Sequence, residues 1–199
     1  MCRKLLTRKF LRDNPYLELS SQRFVYTLLC HEGFEALANE TLQQHMTLSA
    51  ARKSKIDSEK EMLAALSEPN EIFSLLRKDI DGFNRAFLIE KALEYEDDIF
   101  PKLIDRFIRS DHDTLIDNAV RFLAACKTDC SEVLFVRYDE IRSPYVKSLV
   151  CILLGFKAQE SIIPWMMDQF QKLKKHYPDE HYDQGPLMAL NELHHRFYA

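Results

Sequence analysis

The segment that decides the fold is IIPWMMDQF, residues 162–170, because two earlier segments can be laid over it: IFPKLIDRF (99–107) and VLFVRYDEI (133–141). The first and last share an aliphatic start, proline at the third place, aspartate at the seventh and phenylalanine at the ninth; the middle one keeps the aliphatic start, the aspartate and an apolar ninth place. Their starts, at 99, 133 and 162, lie 34 and 29 residues apart. A period of that size marks an array of helical hairpins, in which each pair buries its apolar face only by stacking on its neighbours.

Composition agrees. The 199 residues are 46% hydrophobic and 29% charged, which suits one globular domain with a continuous core. Glycine and proline are few, and Gly33, Pro69, Gly82, Pro144 and Gly185 fall where they break long apolar-periodic runs. The fold class is therefore all-α. Periodicity places helices near 58–67, 70–79, 82–95, 97–109, 113–127, 131–142, 144–155, 159–175 and 184–198. Pro144 and Pro186 suit first turns, Ser131 or Asp113 suits a cap, and Gly155, after CILL, suits a left-handed helix end. Residues 1–56 read as a helical N-terminal cap or irregular region, and 57–199 as the repeat region, packed as one continuous domain. Within the first part, Phe34, Leu37, Ala38 and Leu42 make a helical stripe, while RFVYTLL (23–29) suits a helix or an extended segment. The polar SAARKSKIDSEKE (49–61) reads as a loop or hinge.

SPYVKSLVCILLG (143–155), followed by ESIIPWMMDQF, resembles a HEAT repeat, the unit of an armadillo-type α-solenoid. Such a repeat opens its first helix with Pro, Val and a basic residue, ends it in Leu-Gly, and opens its second helix with an aliphatic-Pro pair. Pro144, Val146, Lys147, Leu154, Gly155, Ile163 and Pro164 fill those places. The resemblance is best over 97–198, although Asp117 follows Ile116 where a basic residue would stand. The tetratricopeptide pattern of Trp, Leu-Gly and Tyr is found in no repeat. What the resemblance implies is a right-handed superhelical array of three to five hairpins whose second helices line a concave face.

At roughly 100° per residue, Ile162, Ile163, Met166, Met167 and Phe170 share one arc, and Trp165 and Asp168 lie opposite. The equivalent outward places are Lys102 and Asp105 in the first segment, and Val136 and Asp139 in the second. On a concave surface they make an acidic ladder, Asp105, Asp139 and Asp168, beside Val136 and Trp165, which suits a basic or amphipathic peptide. The plainer reading leaves the aspartates solvated and the tryptophan packed against a neighbour.

Other functions find less support. A net charge of −4 argues against nucleic-acid binding, which draws its affinity from cations neutralising phosphates. A local exception is MCRKLLTRKFLR (1–12), with Arg3, Lys4, Arg8, Lys9, Arg12 and no acid. It suits weak contact with an anionic membrane or an acidic partner, or simply a packed first helix. No apolar run reads as a signal peptide or reaches the roughly 20 residues of a membrane span. The five cysteines (Cys2, Cys30, Cys126, Cys130, Cys151) are odd in number and lie mostly in apolar periodic segments, which reads as reduced thiols in a cytoplasmic protein. Cys126 and Cys130 lack a second pair at zinc-site spacing. His176, Asp179, Glu180, His181 and His195 form no HExxH pattern, and no phosphate loop, nucleophile elbow or kinase set occurs. No catalytic residue, metal or cofactor is assigned. Among catalytic solenoids, deoxyhypusine hydroxylases carry repeated His-Glu pairs, of which only His31-Glu32 occurs here. HEAT-like alkylation-repair glycosylases pair Trp with a catalytic Asp, as Trp165 and Asp168 would. The expectation is a non-catalytic scaffold for a protein or peptide partner, with that glycosylase or another nucleic-acid-binding solenoid as the alternative.

Overall fold

A computed structural model describes residues 50–110 and 112–198. The stripe at 34–42, RFVYTLL, His31-Glu32, Cys2, Cys30 and the basic end 1–12 lie outside the described residues. Lys60–Ala199 forms one contact unit, and the architecture below is its own. Among the described residues there are nine α-helices and no strand. They are α1 (Ala50–Ala65), α2 (Pro69–Leu75), α3 (Gly82–Leu93), α4 (Glu96–Arg109), α5 (Asp113–Ala125), α6 (Ser131–Val136), α7 (Pro144–Lys157), α8 (Ile163–His176) and α9 (Gln184–Tyr198). Turns of 3₁₀ helix occupy Tyr138–Glu140 and Glu160–Ile162. None of these helices is long and apolar enough to cross a membrane.

The expected loop at 49–61 is instead α1. Its Ala, Lys, Arg and Glu residues are strong helix formers, and it contains neither Gly nor Pro, so polarity there marks an exposed helix. Two caps fall one place or more from expectation. His112 caps α5, its Nδ1 accepting from the Leu115 amide at 3.4 Å, and Asp113 is the first helical residue. Asp129 accepts from the Ser131 amide at 2.8 Å, so it and not Ser131 turns the chain into α6. Pro144 opens α7 as expected, behind the Ser143 hydroxyl that accepts from the Val146 amide at 3.3 Å.

Helices two apart in sequence pack together: α3 on α5, α5 on α7 and α7 on α9; likewise α2 on α4, while α4 reaches the Tyr138–Glu140 turn. One core runs through them, with Phe107 of α4 and Phe122 of α5 among its largest fully buried side chains. The α7–α9 seam is the most intimate. A Cβ built on Gly155 would lie 2.6 Å from the Ala189 Cα, and one on Gly185 would lie 2.2 Å from the Ser148 carbonyl oxygen. Gly155 is thus buried inside α7 and does not end it, contrary to the expectation from Leu-Gly. Its partner, Ala189, is remote in sequence, so no local pattern reveals the reason for glycine. The Arg196 Nη1 donates to the Gly155 carbonyl at 2.6 Å, satisfying an acceptor near the end of α7.

The connector between α5 and α6 hangs on one carboxylate. Glu96 Oε2 accepts from the Lys127 amide at 3.0 Å, and Oε1 accepts from the Thr128 amide at 2.7 Å and its hydroxyl at 2.6 Å. Desolvation works to raise the Glu96 carboxyl, but these bonds together outweigh it and hold the group below the ordinary glutamate value. A depressed folded-state value gives stability that is present above the unfolded value, about 4.3, and lost as pH falls through the folded one. Glu96→Gln should therefore cost about 1 kcal/mol at pH 7, a value kept small by solvent screening. In urea unfolding the gap from wild type should close in acid. An undiminished gap at low pH would mean that the carboxylate's charge plays no part.

Candidate functional site

The six residues expected to face outward lie on α4, on the α6–3₁₀ segment and on α8. In α4 the stripe Ile99, Leu103, Ile104, Phe107 and Ile108 is buried. Lys102 is left exposed and donates from Nζ to Asn70 Oδ1 at 2.7 Å. Asp105 is half-buried and pairs with Arg109 at 3.1 Å and with Arg137 at 3.2 Å. The same Arg137 holds Glu140 at 2.8 Å, so one guanidinium joins α4 to the 3₁₀ turn. That hydrogen bond lowers the Glu140 carboxyl from its usual range and raises the Arg137 guanidinium.

Periodicity places one helix over 131–142. It breaks at Arg137, between the α-helix and the 3₁₀ turn. Leu134 and Tyr138 turn inward, while Phe135 and Val136 turn out, at 44% and 73% exposure. Burial pushes the Tyr138 phenol up, and its hydroxyl lies 3.6 Å from Cys151 Sγ. Asp139 is exposed and carries no ion pair among the described residues.

On α8 the expected arc is rotated. Met166, Gln169 and Leu173 are buried, whereas Met167 is 57% exposed. Trp165 is half-buried and meets Phe135 edge-on at 5.2 Å and Tyr138 at 4.8 Å. Helical-face arithmetic assumes one buried side, but α8 has neighbours on two: α9 on one and the α6–3₁₀ segment on the other. Asp168 is exposed and pairs with Lys172 at 2.6 Å.

Val136, Asp139 and Trp165 are thus drawn together around Phe135 and Tyr138, and Asp105 joins them through Arg137. Lys102 and Asp168 each lie one turn away on their own helices. The aspartates form no free acidic ladder, since Asp105 and Asp168 are paired to cations. Sequence reasoning missed Phe135, Arg137 and Tyr138. The signal for the two aromatics was their place beside Val136 and Asp139; Arg137 had no signal, because its acceptor on α4 is 32 residues away. Compared with protein-family models, curated proteins and solved structures, the chain matches none.

Two further features complete the surface. An apolar groove of about 380 Å³ between α8 and α9 is lined by Met167, Asp168, Phe170, Gln171, Leu187 and Leu190. Among the described residues no three His, Cys, Asp or Glu side chains stand close enough to hold a metal ion.

Proposed function

We propose that this chain is a non-catalytic, cytoplasmic scaffold that binds a protein or peptide through the face bearing Phe135, Val136 and Trp165, within a HEAT-like helical-repeat array. The observation that carries the reading is the exposed Phe135/Val136 pair braced by the edge-to-face contact with Trp165. Exposed aromatic and aliphatic groups on a rigid support are what a binding hot spot needs. The packing of α2 on α4, α3 on α5, α5 on α7 and α7 on α9 supports the repeat architecture. The partner that fits is an amphipathic peptide with an apolar side chain over Val136 and a cation toward the unpaired Asp139.

Selection from a displayed library of amphipathic peptides should enrich basic ones that compete for this face. Val136→Asp should then weaken their binding at least about tenfold, with stability changed by less than about 0.5 kcal/mol because the site is exposed. Trp165→Ala should weaken binding too, and also cost about 2 kcal/mol of stability, less than the loss for a fully buried aromatic. Failure to enrich any peptide, or equal binding by Val136→Asp, would remove the proposal. Release of alkylated bases from damaged duplex by the wild type, lost in Asp168→Asn, would install the glycosylase alternative instead.

A further inference from the structure

The loop that joins α5 to α6, Cys-Lys-Thr-Asp-Cys at 126–130, brings two thiols together at one carbonyl. Cys126 Sγ donates to the Leu123 oxygen at 3.2 Å, and Cys130 Sγ reaches the same oxygen at 3.9 Å. The Cys126 sulfur also lies 3.2 Å from the Thr128 carbonyl oxygen, inside the same loop. Beside them stands a fixed cation. Lys157, the last residue of α7, donates from Nζ to the Cys126 carbonyl at 2.6 Å, which holds the ammonium 3.9 Å from Cys126 Sγ. An anchored cation beside a thiol favours its thiolate.

We infer that Cys126 and Cys130 form a dithiol site that reduces a low-molecular-weight disulfide and closes into an intrachain disulfide. The roles are unequal. The neighbouring Cys130 thiol, opposed by burial and aided by Lys157, lowers the Cys126 thiol, while Cys126 together with burial raises Cys130. Cys126 is accordingly the attacking sulfur and Cys130 the resolving one. The Cys126 thiolate attacks one sulfur of the external disulfide, whose other half leaves as a thiolate and takes up the proton that Cys126 gave to water. Cys130 then attacks the Cys126 sulfur of the mixed disulfide, and the second half leaves as a thiol carrying the Cys130 proton. Two protein thiols are oxidised, and one external disulfide is reduced to two thiols.

Both sulfurs are buried in the closed loop, but Lys127, Thr128 and Asp129 between them are exposed. Glu96 holds Lys127 and Thr128 by the three hydrogen bonds already described. Releasing that one side chain opens the way to Cys126. Cys151 is the internal control: it is fully buried against Tyr138, and burial pushes its thiol up to about 12. The new bond would tie the residue after α5 to the residue before α6, the helix that carries Phe135 and Val136.

The test is reaction of the reduced full-length protein with oxidised glutathione, followed by intact mass and peptide mapping. The expected product has lost two hydrogen atoms, links Cys126 to Cys130 and leaves Cys151 free. Cys130→Ser should trap glutathione on Cys126, and Cys126→Ser should leave Cys130 unmodified. Lys157→Gln should slow the reaction and move its pH–rate profile upward, because loss of the cation raises the Cys126 thiol. Glu96→Gln should speed it. Wild-type mapping alone can overturn the inference, without any variant having to fold. Cys126 and Cys130 remaining free in the native protein while reacting in urea, or glutathione resting on Cys130, would do so. An unchanged pH profile in Lys157→Gln would do so as well.

Discussion

Gly185→Ala should lower stability by about 3 kcal/mol or more, a large fraction of what an ordinary domain possesses. The added methyl would meet the Ser148 carbonyl oxygen at 2.2 Å, its hydroxyl at 2.3 Å and its carbonyl carbon at 2.7 Å. Two of these three are backbone atoms of α7, which cannot swing aside as the end of a flexible side chain can, so α9 itself must move. In thermal unfolding a loss of that size corresponds to roughly a 10 °C drop for a chain of this length. Gly155→Ala should behave similarly, since its methyl would meet the Ala189 Cα at 2.6 Å. Gly82→Ala is the control. Nothing lies within 4 Å of that position, the first residue of α3, so alanine there should be neutral or stabilise by up to about 1 kcal/mol. If all three variants unfold alike, or Gly185→Ala melts like the wild type, the close seam is not as described.

Asn118→Asp should cost about 3 kcal/mol or more at pH 7, since it places a carboxylate in a buried site. Asn118 is 1% exposed on α5, and its Nδ2 donates to the Leu76 carbonyl, just past the end of α2, at 3.0 Å. Its Oδ1 has no hydrogen-bond partner. A carboxylate could neither donate to Leu76 nor find a donor for itself. A protonated carboxyl could still donate, so the folded variant should bind its proton more tightly than the unfolded chain, whose value is near 3.9. The sign follows: the variant approaches wild-type stability below about pH 4 and loses ground as pH rises, by up to about 1.4 kcal/mol per unit, until the folded value is passed. Urea unfolding between pH 3 and 7 measures this. A deficit independent of pH would show that the carboxylate reaches water, and that the α2–α5 contact is looser than the bond to Leu76 requires.

Much of the helical outline was legible in the sequence. The bounds of α3, α4, α5 and α7 fall within two residues of the periodic runs, because their apolar residues recur at helical spacing and their terminal signals are local. Polarity misled at 49–61, where α1 needs no stripe to be helical. Gly155 misled because its neighbour along the chain, Leu154, suggested an end, whereas its neighbour in space, Ala189, dictates the residue. At the candidate site, Val136 and Asp139 are exposed, although the single helix read from the sequence breaks between them at Arg137. Trp165 needed knowledge of a second neighbour, and Arg137 needed knowledge of Asp105; both are facts of tertiary packing that no single segment carries.

The α7–α9 seam has a mechanical consequence. Where two helices meet through leucines or phenylalanines, a push can be absorbed as the side chains change rotamer. At Ser148–Gly185 and Gly155–Ala189 the contact is mostly main chain against main chain or a methyl stub, and the Ser148 hydroxyl is the one group there that can rotate aside. The seam therefore responds asymmetrically. Pressed together, α7 and α9 act as a hard stop; pulled apart, they are held by dispersion across the contact, the Arg196 bond to Gly155 and the apolar packing around them.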